Sequence, residues 1–202
     1  MDRAEIGTAA MESSDHHLAQ HYQALVKHLT ERVGCDLTGL PASQLMFHGS
    51  SAEFESVEAR DNRRMGPGGK IDWQGTALFA AMDPRVALHY TANRRTGVQT
   101  GINLREFTDP GQPITYFLKG GANLEEAMTK TYGDPADPKS CQGYVHVLDK
   151  SKFVHEPGLG VMEMITRDPS ANLGRLDLNR RAAIDELVKS GSVLVEWEAA
   201  KP

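Results

Sequence analysis

Three short segments carry the residue types able to do chemistry. The first is Leu45-Met-Phe-His-Gly-Ser-Ser51, an apolar run that ends on His48 with Gly49 directly after it. Glycine there lets the backbone come close to a ligand with its N–H and C=O free to bind, and Ser50 and Ser51 add hydroxyls. Taken singly, the segment reads equally as a strand ending in an ordinary turn. The second runs from Gly75 to Tyr90 and sets a strand, a cap and a helix within a few residues. Asp83 is a suitable N-cap and Pro84 suits the first helical position. Arg94 and Arg95 follow at the helix C-terminus, where cations suit the macrodipole. Tyr90 stands one turn from Val86, with Ala87 on the same face. Either the tyrosine packs with its hydroxyl at the edge, or small Ala87 leaves room for a flat ring to lie against it. The third segment is Gly160-Val-Met-Glu-Met-Ile-Thr-Arg-Asp-Pro169. As a strand it puts Val161, Glu163 and Ile165 on one face and Met162 and Met164 on the other. Burying an unpaired charge costs several kcal/mol, so a carboxylate in such a strand is paired, edge-exposed or functional.

The elements that must position these residues are short strands joined by long loops. Strands are expected at 44–48, 76–80, 113–119, 143–149, 160–166 and 192–198. Helices are expected at 84–93 and 124–130, with another carrying Ile184, Leu187 and Val188 and closed by Gly191. Residues 1–13 read as a loose tail. Leu18, Tyr22, Leu25, Val26, Leu29 and Val33 then recur at helical spacing, giving an N-terminal helical extension over 14–40 ahead of one domain over 41–202. Many strands with few helices argue for an α+β fold rather than a doubly wound sheet. No glycine-rich turn opens a helix after a strand, and Met65-Gly-Pro-Gly-Gly-Lys70 lacks the ending and context of a phosphate loop.

Composition narrows the function classes. The 202 residues carry a formal net charge of −5, so the field of the whole molecule does not favour a polyanion, although local basic clusters could. Cys35 and Cys141 lack metal-ligand spacing and form no disulfide framework. His16, His17, His21 and His28 lie on the leading helix without Glu, Asp or Cys partners, so they read as a polar face and no metal is expected. No stretch reaches membrane-spanning length, and the first residues carry acids and histidines rather than a basic segment before an apolar run, so a signal-peptide route is not expected. A cytoplasmic protein, or an effector exported by another route, is expected, without a membrane partner.

Taken in order, the three segments resemble the ADP-ribosyltransferase superfamily in its His–Tyr–Glu branch, which includes the poly(ADP-ribose) polymerases and several bacterial enzymes. That branch opens on a strand ending His-Gly-Ser/Thr, here Phe47-His48-Gly49-Ser50. A strand of the type Gly-hydrophobic-Tyr-Phe-Ala then runs into a helix bearing a second tyrosine, here Ala77-Leu78-Phe79-Ala80, Asp83-Pro84 and Tyr90. A late strand carries the catalytic glutamate, here Glu163-Met164-Ile165. The resemblance covers roughly residues 44–169. It departs from the pattern where Leu78 or Phe79 stands for the strand tyrosine, and where Ala87 stands for a helix serine that binds the nicotinamide amide.

The resemblance implies a split pair of small β-sheets with NAD⁺ as co-substrate in the cleft between them. It assigns His48 to the adenosine-side ribose hydroxyl and the Gly49 backbone, beside Ser50, to the carboxamide. Tyr90 with Phe79 is assigned to the nicotinamide ring, and Glu163 to the 2′-hydroxyl of the nicotinamide ribose. Arg63, Arg64 and Lys70 are candidates for the pyrophosphate. The implied activity is mono-ADP-ribosyl transfer, as a toxin, effector or drug-modifying enzyme, with an immunity or antitoxin protein as a possible partner. The acceptor is unassigned among protein, nucleic acid and small molecule, and its determinants are expected in the loops at 52–74, 94–112 and 131–142. Rival readings are a non-catalytic NAD or ADP-ribose binder, an NAD glycohydrolase and an RNA 2′-phosphotransferase. Glu196 and Glu198 form a Glu-x-Glu pair like that of the superfamily's other branch, but its arginine and Ser-Thr-Ser partners are missing, so a solvent-facing strand is expected there.

Overall fold

The computed structural model describes residues 44–65, 70–103, 112–157, 159 and 163–199. The expected tail, the N-terminal helix with its histidines, and positions 160–162 of the third segment lie outside them. The described chain is α+β. In order it forms β1 (Leu45–Ser50), β2 (Arg60–Met65), β3 (Ile71–Ala81), α1 (Pro84–Tyr90), β4 (Gln99–Asn103) and β5 (Ile114–Lys119). There follow α2 (Leu124–Tyr132), β6 (Gln142–Asp149), β7 (Glu163–Thr166), β8 (Asn172–Asn179), α3 (Arg180–Lys189) and β9 (Val193–Glu198).

These strands build a six-stranded sheet, β2-β3-β1-β6-β8 with β7 also on β3, and a three-stranded sheet, β4-β5-β9. Every pairing in the larger sheet is antiparallel. In the smaller one, β9 returns parallel to β5, which the long intervening crossover permits.

Three strands fall where none is expected, β2 and β4 within the expected loops and β8 in a stretch given no element. β2 spells Arg-Asp-Asn-Arg-Arg-Met and has no apolar alternation. Pairing with the first half of β3, from Arg60↔Ala77 to Met65↔Ile71, is what makes it a strand. β4 is short and interrupted by Gly101. β8 carries a legible signal, Leu176 and Leu178 alternating inward, diluted by Asn, Gly and Asp. The supposed loops at 52–74 and 94–112 are therefore partly sheet.

The main core lies around α1. Val86, Ala87 and Leu88 pack in one cluster with Phe47, Val145 and Val147 of the larger sheet and Ile114, Tyr116, Leu118 and Val193 of the smaller. Asp83 caps the helix by accepting from the Arg85 N–H at 2.8 Å, and its carboxylate holds the Arg85 guanidinium at 2.7 Å. That guanidinium also donates to the carbonyls of Gln112 and Ser192, each at 3.0 Å, at the entrance to β5 and β9. Tyr116 donates its hydroxyl to the Arg85 carbonyl, and His89 Nδ1 meets the Tyr132 hydroxyl at 3.0 Å. Polar bonds therefore lock the helix to the smaller sheet, while apolar contact seats it on the larger. The opposite face of the larger sheet has its own cluster, Met46, Leu78, Ala80 and Leu148 with Val57 and Phe153.

Candidate functional site

The cleft exists because β1 and β3 part company. Their ladder holds one pair, Phe47↔Ala81, whereas on its other edge β1 stays paired with β6 as far as Ser50↔Tyr144. Where β1 and β3 separate, a cleft of about 1030 Å³ opens, lined among others by His48, Gly49, Phe79, Tyr90 and Glu163. These five residues come from four elements, and β2 and α3 add arginines to the same space.

His48 closes the gap with a side chain. Its Nδ1 lies 2.7 Å from the Phe79 carbonyl, which can only accept, so Nδ1 carries the proton. Burial lowers the His48 pKa more than the Phe79 bond raises it, and Arg60 lowers it further. The ring is therefore neutral at pH 7 and its Nε2 is an acceptor, suited to a ligand hydroxyl. His146 faces His48 across the ladder, with ring centroids 6.3 Å apart.

Gly49 is glycine for a second reason that the sequence does not declare. A Cβ there would lie 1.8 Å from the Ala87 carbonyl oxygen and 3.2 Å from the Thr91 nitrogen. The helix backbone, not a ligand, makes the closest approach on that side, and this contact delivers Tyr90 to the cleft. Ala87 is correspondingly core, 1 % exposed, and does not form the space for a flat ring against Tyr90. Ser50 closes its own turn, donating to the Ala52 carbonyl at 2.8 Å and accepting from the Ala52 N–H at 3.1 Å.

Phe79 and Tyr90 both line the cleft, each with other partners for its ring. Phe79 packs edge-on against Trp73, with centroids 4.8 Å apart at 86°. Tyr90 lies under the Arg94 guanidinium, 5.0 Å from ring centroid to Cζ. Glu163 sits on β7 opposite Ala81, which itself faces Phe47. That row places Glu163 two strand spacings from β1, roughly 10 Å. The glutamate is 7 % exposed, so the alternative of a solvent-facing edge carboxylate is overturned.

The sequence-derived candidates divide cleanly. His48, Gly49, Ser50, Arg63, Phe79, Tyr90 and Glu163 line the cleft. Lys70 is exposed and is not among the lining residues. The backbone of Arg64, on β2, pairs with Trp73 of β3, and the Arg64 side chain lies outside the described residues. Glu196 and Glu198 stand exposed on β9 away from the cleft, Glu198 meeting Lys119 at 3.2 Å. Trp197 between them is 36 % exposed and donates to the Gly120 carbonyl at 2.8 Å.

Sequence reasoning missed Arg60, Arg180 and the site placement of Arg94 and Arg95, all of which line the cleft. For Arg180 a signal exists. It opens α3 after the Asn179 cap, at the helix end where the macrodipole disfavours a cation. Its guanidinium instead donates to the carbonyls of Thr91 at 2.6 Å, Tyr132 at 3.0 Å and Ser140 at 2.7 Å. Thr91 ends α1 and Tyr132 ends α2, so the cation sits at the negative ends of two other helices. Burial lowers its pKa even so. Against these arginines the cleft sets the carboxylates of Glu58 and Glu163.

No group of three or more His, Cys, Asp or Glu side chains able to hold a metal occurs among the described residues. No described helix is long and apolar enough to cross a membrane. No family model, curated protein or solved structure matches the chain.

Proposed function

We propose that this protein binds NAD⁺ in the cleft, breaks the nicotinamide–ribose bond and transfers ADP-ribose to an acceptor. The fold it uses for this is, on the same reading, of the ADP-ribosyltransferase type. The observation that carries the proposal is convergence. His48, Gly49, Tyr90 and Glu163, far apart in the chain and singled out by type and order, line one cleft.

The chemistry follows from what each group can do. Neutral His48 offers Nε2 to a ribose hydroxyl, with the Phe79 carbonyl fixing its tautomer. Tyr90 presents a ring against which nicotinamide orients; stacking of this kind contributes about 0.5–1.5 kcal/mol beyond burial, so it positions more than it accelerates. Arg63, with Arg60 beside it on β2, suits the pyrophosphate. Cleaving the bond moves its electron pair onto the departing nicotinamide and leaves oxocarbenium character on the ribose. A fixed carboxylate at the ribose 2′-hydroxyl, the role given to Glu163, is worth more as that positive charge develops than before it.

Glu163→Gln keeps the shape and removes the charge. Nicotinamide release from NAD⁺ is expected to fall by about 10²–10³-fold while NAD⁺ binding, followed by calorimetry, changes little. Equal release by the variant would remove Glu163 from the mechanism. Absence of both release and binding in the wild type would overturn the NAD⁺ reading itself.

A further inference from the structure

The described arginines sort into two groups by place. Away from the cleft each is held by a carboxylate: Arg85 by Asp83, Arg167 by Glu156, Arg175 by Asp177 and Glu53, Arg181 by Glu125 and Asp185. Among those lining the cleft, Arg180 is bound to carbonyls, and Arg60, Arg63, Arg94 and Arg95 have no carboxylate partner among the described residues. In a chain of net charge −5, unpaired cations gathered at one opening mark where an anion is taken up.

NAD⁺ accounts for only half of them. Arg60 and Arg63 suit its pyrophosphate, but Arg94 lies over Tyr90, the ring assigned to nicotinamide, and Arg95 is its neighbour. Nicotinamide in NAD⁺ is itself a cation, so a guanidinium near that ring adds nothing to the hold on this end of the dinucleotide. The pair attracts an anion arriving at the nicotinamide end, beside the ribose carbon that an acceptor must reach. The arrangement adds a chemical preference. A guanidinium over an aromatic ring, with no carboxylate on it, has N–H groups to offer phosphate oxygens and a planar face to offer a nucleobase. Arg175 over Tyr144, at 5.1 Å, lacks this capacity because Asp177 and Glu53 already occupy its edge.

We infer that the acceptor is a phosphate-bearing nucleotide group, held by Arg94 and Arg95 at the Tyr90 end of the cleft. This rests on the NAD⁺ reading above. In the transfer an oxygen of the acceptor gives an electron pair to the ribose anomeric carbon. The carbon–nitrogen bond breaks toward nicotinamide, which leaves neutral. A hydroxyl acceptor loses its proton to water; a phosphate oxygen has none to lose.

The test uses the full chain with labelled NAD⁺ and three acceptors: a 5′-phosphorylated single-stranded oligonucleotide, a mononucleotide, and an acidic peptide supplying carboxylates alone. Label is expected on the oligonucleotide, the mononucleotide or both, which separates a strand from a free nucleotide, and not on the peptide. In Arg94→Gln/Arg95→Gln the ratio of ADP-ribose transferred to nicotinamide released is expected to fall at least tenfold. Both side chains are exposed, so the fold should tolerate the change. Binding of the oligonucleotide without NAD⁺, read by fluorescence anisotropy, should weaken with salt, with a log–log slope shallower by about 1.4 in the double variant. Nicotinamide release with label on neither nucleotide, or on the peptide alone, overturns the inference while leaving the NAD⁺ reading in place. Without any release, the anisotropy decides it: equal or absent binding by both proteins overturns it.

Discussion

At the scale of single residues, the site is built from groups whose environments set their chemistry. The Phe79 carbonyl gives His48 one tautomer, and burial keeps the ring neutral. Glu163 lies at the end of a cross-strand row that begins at Phe47, buried in the cleft lining rather than turned to solvent. Gly49 has two functions in one position, since it borders the cleft and takes the helix backbone against its α-carbon. Gly49→Ala forces a methyl into the Ala87 carbonyl, and overpacking of this kind typically costs about 1–3 kcal/mol. The urea midpoint is expected to fall accordingly, and on the NAD⁺ reading proposed above NAD⁺ affinity falls alongside because Tyr90 moves with the helix. An unchanged midpoint would mean that α1 backs away freely from β1. The His-Gly pairing was legible in the sequence; the reason for the glycine was not, because it lies in a residue about forty positions away.

At the scale of elements, α1 decides whether the site is assembled. It is short, so its own hydrogen bonds cannot hold it; tertiary contacts on both sides must. The buried Asp83–Arg85 pair joins the helix N-terminus to the starts of β5 and β9. Removing one member of a buried pair leaves an uncompensated charge and costs about 3–5 kcal/mol. Arg85→Ala should therefore lose about that much in denaturant unfolding. Arg85→Lys should not recover it fully, since an ammonium cannot reproduce the fork that meets both carboxylate oxygens and two carbonyls. Full recovery by lysine would assign the contact to charge alone. The Asp-Pro helix start was readable from local rules. β2 was not, because an Arg-Asp-Asn-Arg-Arg run acquires strand character only from the partner beside it.

At the scale of the whole molecule, acid should be the condition that opens the fold. Burial holds the His89 pKa down to about 3, with Arg94 adding to the effect. Burial also holds His146 down to about 4, with His48 and Arg175 adding to it, and both ring nitrogens of His146 lack a hydrogen-bond partner among the described residues. A histidine with a depressed folded pKa takes up protons more readily when unfolded. Stability is then full above the unfolded value near 6.5 and is lost as pH falls toward the folded value. For His89 alone the loss at pH 5 is about 2 kcal/mol. Denaturant unfolding should show a plateau above pH 7 and a steep decline below 6.5. His89→Gln should make that decline shallower by about one proton; an unaltered slope would show that His89 is not the group being titrated.

Residue type and order carried the chemistry on offer: an ordered set of imidazole, aromatic ring and carboxylate, a capped helix between them, and an α+β alternation of short apolar runs. Those features are local, fixed by residue type and by periods of a few residues. The tertiary structure decided which of them meet. The separation of β1 from β3, the burial of Glu163, the seating of Ala87 on Gly49, and the gathering of unpaired arginines at one opening all depend on contacts between distant segments. Long-range pairing leaves no periodic trace in the strands it recruits. Charge likewise has no local pattern that tells a paired arginine from a free one, since each is written as the same residue and only the neighbour brought by folding differs.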